Sequence, residues 1–189
     1  MQSETTELPV RGNDAIEILT NDHQTIKSLL SSLTQGTGMA GRQETLERLK
    51  AALTIHNATE ENLLYPALQV VAGKKSESQK LYHETADADV LVFQLDTMLK
   101  EGDDSGFAKT AEKLQAAVLE HIEDEEQKAF KDLQEKAEPQ QTRMLTQSVR
   151  EFRSMLHVGA SPGAARLRSE TGEIGSPSTA SRSQTGAGE

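Results

Sequence analysis

The sequence predicts an all-α protein: an up-down-up-down four-helix bundle, then a fifth C-terminal helical segment and a disordered tail. Three observations carry this. Apolar residues recur at steps of three and four along several long stretches, which places them on one face of a helix. The breaks between the stretches are short and marked by Gly36, Gly38 and Gly41, by Gly73 and by Gly102, and short connections favour antiparallel neighbours. Aromatic residues make up 3% of the chain, so the core must be built from Leu, Ile, Val and Ala, as in bundles.

Residues 1–13 are polar and read as a flexible N-terminus. The first helix is expected over 14–32 with Asn13 as N-cap. Its seam is Ile16, Leu19, His23, Ile26, Leu30 and Leu33. The second spans about 43–71, with Leu46, Leu49, Leu53, His56, Glu60, Leu63, Ala67 and Val70 in one seam. Within it Pro66 leaves the Asn62 carbonyl without its helical donor, which predicts a bend. The third runs from a Ser76 cap to near Gly102, with His83, Ala86, Val90 and Phe93 in a row and Asp87 one turn after His83. The fourth opens at Asp104 or Ser105 and stops near Pro139; Phe107, Ala111, Leu114, Val118, His121 and Glu125 form its seam. A fifth segment covers about 140–156, so that 14–157 form one domain. From 158 to 189 Gly, Ser, Thr, Ala, Pro and Arg dominate. That stretch cannot bury enough surface to offset its ordering entropy and reads as disordered.

Composition narrows the function. Twenty Lys and Arg against 30 Asp and Glu give a net charge of -10, which argues against nucleic acid, whose phosphates need a basic surface. Cysteine is absent. This excludes disulfides, thiolate metal sites and thiol catalysis, and fits a reducing, cytoplasmic setting. No apolar run is long enough to span a membrane. There is no His-Glu-x-x-His motif, no phosphate-cradling glycine loop and no Glu-x-x-His pair of the ferritin-like kind.

The histidines carry the functional signal. His56-x-x-x-Glu60-Glu61 and His121-x-x-x-Glu125-Glu126 are one phrase written twice, with His23 upstream of the first and His83 upstream of the second. A His and a Glu four apart lie on one helical face, one turn apart. Burying an unpaired carboxylate costs several kcal/mol, and a shared metal site satisfies all these groups at once. Four nitrogens and two carboxylates suffice for a two-metal centre, with Glu60 and Glu125 as bridges and His23, His56, His83 and His121 as terminal ligands. Nitrogen and oxygen donors without sulfur suit iron, manganese or zinc better than magnesium or calcium. Glu61 and Glu126 point about 100° away and read as supporting or surface acids. Tyr65 and Phe130 read most simply as core packing, with a hydrogen bond from Tyr65 to a bound oxygen species as the alternative. His157 lies past the bundle.

These pieces together resemble the hemerythrin-like HHE cation-binding domains over about residues 14–135. The matching residues are Asp22-His23, His56-x-x-x-Glu60-Glu61 with Leu63-Leu64-Tyr65-Pro66, His83, and His121-x-x-x-Glu125-Glu126. The resemblance implies a bundle holding two iron ions in an oxo- or hydroxo-bridged centre, with zinc or manganese as lesser alternatives. It implies dioxygen, peroxide or nitric oxide as the small ligand. Oxygen-carrying relatives have a second histidine on the third helix, one turn after the first, where this chain has Asp87. Asp87 could ligate, hydrogen-bond a ligand or face solvent. The departure favours reaction with dioxygen or peroxide, such as peroxide decomposition, over reversible carriage. The alternative is non-enzymatic iron, oxygen or nitric oxide sensing, or iron handling.

Overall fold

The computed structural model describes residues 8–36 and 38–160, and for residues 39 and 157–160 the backbone alone. The expected tail from 161 onward, most of the N-terminal segment and the His157 side chain lie outside the described residues. Every regular element is helical, and no strand occurs among the described residues. The elements are α1 (Ala15–Gln35), α2 (Met39–Thr59), α3 (Tyr65–Val70), α4 (Lys75–Glu101), α5 (Asp104–Asp124), α6 (Phe130–Lys136) and α7 (Pro139–Ala160). None is long and apolar enough to cross a membrane. The chain divides after Ser154, and the described part of the second unit is the last turn of α7.

The cap of α1 sits one residue later than expected. Asp14 accepts the Glu17 amide at 2.9 Å, and the Glu17 carboxylate accepts the Asn13 amide at 2.7 Å. This reciprocal arrangement satisfies free amides at the helix start. Gly102 ends α4 at φ 73°, a left-handed conformation that disfavours any other residue. Asp103 then caps α5 through the Gly106 amide at 2.8 Å.

Two π-helical turns join the elements into longer rods. Glu60–Leu64 links α2 to α3, and Glu125–Ala129 links α5 to α6. The Tyr65 amide bonds the Glu60 carbonyl, and the Phe130 amide bonds the Glu125 carbonyl, in each case five residues back. Each turn therefore holds one extra residue, and the seam beyond it shifts by one. The expected Leu63, Ala67 and Val70 give way to buried Leu64 and Leu68, and Val70 is 84% exposed. In this register the carbonyl left without a donor by Pro66 is that of Glu61, and the Tyr82 hydroxyl covers it at 2.6 Å. Proline is not what makes the turn, since Lys131 holds the matching position in the second rod.

On α4 the expected row is the wrong face. Ala86, Val90 and Phe93 are exposed, and the buried seam is Ser78, Leu81, Thr85, Ala88 and Leu95. Both rows repeat at steps of three and four, and Ser78 and Thr85 disguise the true one.

Helix α1 packs on α2 and α5, and α4 packs on α2 and α5, so the four are neighbours in a ring. Two apolar clusters result. One gathers Ile26, Leu30, Leu49, Leu95, Phe107 and Leu114; the other gathers Leu19, Leu64, Tyr65, Leu68, Phe130 and Leu133. Between them lies a layer of buried polar side chains.

Candidate metal centre

That layer holds His23 from α1, His56 from α2, Glu60 and Glu125 at the first positions of the two π turns, and His121 from α5. All five are buried. His23 Nε2 lies 3.2 Å from Glu125 Oε2 and 3.9 Å from Glu60 Oε1; His56 Nε2 lies 3.1 Å from Glu60 Oε1. One donor atom from each of His23, His56, Glu60 and Glu125 falls within 4.8 Å of all the others. Although they stand this close, their angles make no hydrogen bond, so His23 Nε2, His56 Nε2, Glu60 Oε1 and Glu125 Oε2 are buried atoms without a hydrogen-bond partner. Buried polar atoms are almost always paired, so four orphans at one point need an explanation. Two imidazole nitrogens and two carboxylate oxygens fit a divalent cation of the iron, manganese or zinc type.

The other oxygens of the same glutamates face a second group. Tyr65 Oη stands 2.9 Å from Glu125 Oε1, 3.2 Å from Glu60 Oε2, 3.3 Å from His121 Nε2 and 3.5 Å from Thr85 Oγ1. His121 Nε2 is 3.4 Å from Glu125 Oε1. The two glutamates thus divide their oxygens between the His23–His56 side and the Tyr65–His121 side. Burial and the Glu60 and Glu125 charges push the Tyr65 hydroxyl well above its ordinary pKa, so it keeps its proton and donates.

Each histidine rests its other nitrogen on a separate acid. His23 Nδ1 lies 2.8 Å from Glu126, His56 Nδ1 3.3 Å from Asp22, and His121 Nδ1 3.1 Å from Glu84. A carboxylate on Nδ1 fixes the ring and leaves Nε2 for a metal. Each acid also meets a cation: Glu126 meets Lys27 at 3.1 Å, Glu84 meets Lys80 at 2.8 Å, and Asp22 meets Arg153. Hydrogen bonding to His23 pulls the Glu126 carboxyl down to about 2. Burial alone would raise Asp22, but His56 and Arg153 outweigh it and hold the carboxyl below its usual value. Burial disfavours the His23 cation, yet Glu125, Glu126 and Glu60 raise its pKa well above the ordinary value.

His83 does not join the layer. It is exposed on α4, as is Asp87, because the helix turns its Leu81–Thr85–Ala88 face inward. Thr85 and Glu84 stand on the His121 side in place of a histidine from that helix. Sequence reasoning missed the parts played by Asp22, Tyr65, Glu84 and Arg153. Asp22 and Glu126 each adjoin a candidate ligand in sequence, which is the one local signal available. Beside His56 and His121 lies an apolar pocket of about 10 Å³, walled by Ile26, Leu53, Ala88 and Val118. That is room for about one water-sized molecule.

The family model described as Hemerythrin HHE cation binding domain matches residues 14–133. The chain belongs to this hemerythrin HHE family. The match covers the whole polar layer and ends before α7. A DNA nickase from a Nostoc species is 25% identical over 126 residues, which is 67% of this chain and 35% of that protein. The chain therefore spans about a third of that relative's length. No solved structure matches this chain.

Proposed function

We propose that this hemerythrin HHE protein is an up-down-up-down four-helix bundle that holds two iron ions and binds or reacts with dioxygen or peroxide. The observation that carries the reading is the set of four orphaned donor atoms on His23, His56, Glu60 and Glu125. These residues would hold one ion. His121, with Glu60 Oε2 and Glu125 Oε1, would hold the other, with the protonated Tyr65 hydroxyl beside it. The ring of neighbours formed by α1, α2, α5 and α4 supports the bundle.

Iron held there would supply redox and Lewis-acid chemistry toward a small oxygen-containing ligand. The protein's own contribution is positioning. Glu60 and Glu125 offer an oxygen to each side. Asp22, Glu84 and Glu126 orient three imidazoles. Tyr65 places its protonated hydroxyl oxygen 2.9 Å from Glu125 Oε1 and 3.3 Å from His121 Nε2, beside the face with the fewest histidines. Ile26, Leu53, Ala88 and Val118 give the adjoining pocket apolar walls suited to a small ligand. One histidine fewer than the expected set leaves the His121 side less fully ligated, which favours reaction over stable carriage.

A sensing role is the second reading. It is favoured by the cost of leaving several buried polar groups unpaired, which ties folding to metal occupancy. Nucleic acid is not a partner we propose: the net charge is -10, and the named nickase is matched over 35% of its length.

Reconstitution with ferrous iron under anaerobic conditions tests the reading. Elemental analysis is expected to give about two irons per chain, and the loaded protein to consume added peroxide. Two irons without peroxide turnover, but with metal-dependent protease protection, move the reading to sensing. A folded protein that takes up no metal sinks both.

A further inference from the structure

We infer that Arg153, on a helix outside the matched family residues, is a positioning residue of the metal centre that acts through Asp22 to fix the ring of His56. The inference rests on the metal reading above and adds a part to it.

Arg153 is fully buried, an uncommon place for a guanidinium. Its three nitrogens are all used. Nη1 donates to Asp22 Oδ1 at 3.1 Å, Nη2 donates to Asp22 Oδ2, and Nε donates to Thr59 Oγ1 at 3.3 Å. Asp22 Oδ2 in turn faces His56 Nδ1 at 3.3 Å. Thr59 directly precedes Glu60, and Asp22 directly precedes His23. One side chain therefore grips the backbone neighbours of two candidate ligands and, through Asp22, orients a third.

Packing alone does not explain this choice. Helix α7 already meets α1 through an apolar contact, Val149 with Ala15 and Ile18. Thr146 accepts the Ala15 amide at 3.1 Å. The pairs Ala15–Thr146, Ile18–Val149 and Asp22–Arg153 rise together along both helices, so α7 runs parallel to α1. An apolar residue at 153 would continue that contact without the desolvation cost of a buried charge. What the arginine adds is a planar fork that fixes both Asp22 oxygens. Asp22 then presents an oriented, charged acceptor to His56 Nδ1, which leaves Nε2 facing Glu60.

Cobalt(II) titration of the metal-free full chain tests this, with absorbance read in the visible. Arg153→Met is expected to weaken cobalt binding by about 10- to 100-fold and to alter the spectrum. Arg153→Lys, which keeps the charge but not the fork, is expected to fall between. A folded Arg153→Met with a lowered unfolding midpoint but wild-type affinity and spectrum would overturn the inference and leave α7 a packing element. If Arg153→Met does not fold, Arg153→Lys carries the test, since it keeps the charge beside Asp22 and loses only the fork. Weakened binding there supports the inference, and wild-type binding overturns it. A wild-type chain that takes up no cobalt removes the metal reading and this inference together, whereas uptake by wild type with an unaffected variant removes this inference alone.

Discussion

The two His-x-x-x-Glu-Glu phrases lead to unlike surroundings. His56 leans on Asp22, which is buried and gripped by a fully buried arginine. His121 leans on Glu84, whose cation partner Lys80 is 53% exposed and is shared with Asp124. The same motif therefore sits in a sealed setting on one side and a solvent-reaching setting on the other. The apolar pocket touches both histidines, and Glu84 lies on its rim. The difference teaches that a repeated sequence phrase fixes donor atoms, while the residues behind it decide how firmly they are held. On the metal reading, we expect the His56 side to hold its ion more firmly, although His23 there leans on the partly exposed Glu126–Lys27 pair, and the His121 side to exchange.

The most severe way to break this comparison is to remove a donor shared by both sides. Glu125→Ala is expected to abolish binding at both positions, and elemental analysis after iron loading should find well under one metal per chain. His56→Ala should lose the sealed position first, with a residual, weaker equivalent at His121. Retention of both equivalents in His56→Ala would contradict the division.

Next in size is the contrast between the supporting acids. Asp22→Asn is expected to weaken cobalt binding by about 10- to 100-fold, and Glu84→Gln by less than about 10-fold, because the half-exposed pair is already screened by solvent. Equal losses would erase the distinction between sealed and open sides.

Tyr65→Phe sharpens the picture in the metal-free protein. It removes the hydroxyl that serves Glu60 and Glu125 and should cost about 1–3 kcal/mol in denaturant unfolding. A cost near zero would mean that those oxygens find other partners without it. The smallest effect belongs to His83→Ala, which should leave metal content unchanged and shift stability by no more than about 0.5 kcal/mol, as for other exposed positions.

Much of this arrangement is legible in the residues themselves. The seams of α1, α2 and α5 carry His23, His56, Glu60, His121 and Glu125 to buried positions in the register that periodicity predicts. The α4 seam is not legible, because Thr85 and Ser78 occupy it while His83, Val90 and Phe93 decorate the outside at the same spacing. The π turns leave no distinct composition, and they appear as an unforeseen shift from Leu63 and Ala67 to Leu64 and Leu68. Arg153 is the least legible residue. An arginine in a modestly apolar terminal segment reads as solvent-facing, and its partner lies 131 residues away.

The polar layer also separates the two apolar clusters, one built around Leu30 and Leu49 and the other around Leu64 and Phe130. We expect each cluster to melt as its own cooperative unit when nothing binds the layer between them. A cation clasped by Glu60 and Glu125 would couple them, since both glutamates begin the turns that lead from one cluster into the other. Occupancy of a single small site would then decide whether the molecule unfolds in one calorimetric transition or in two.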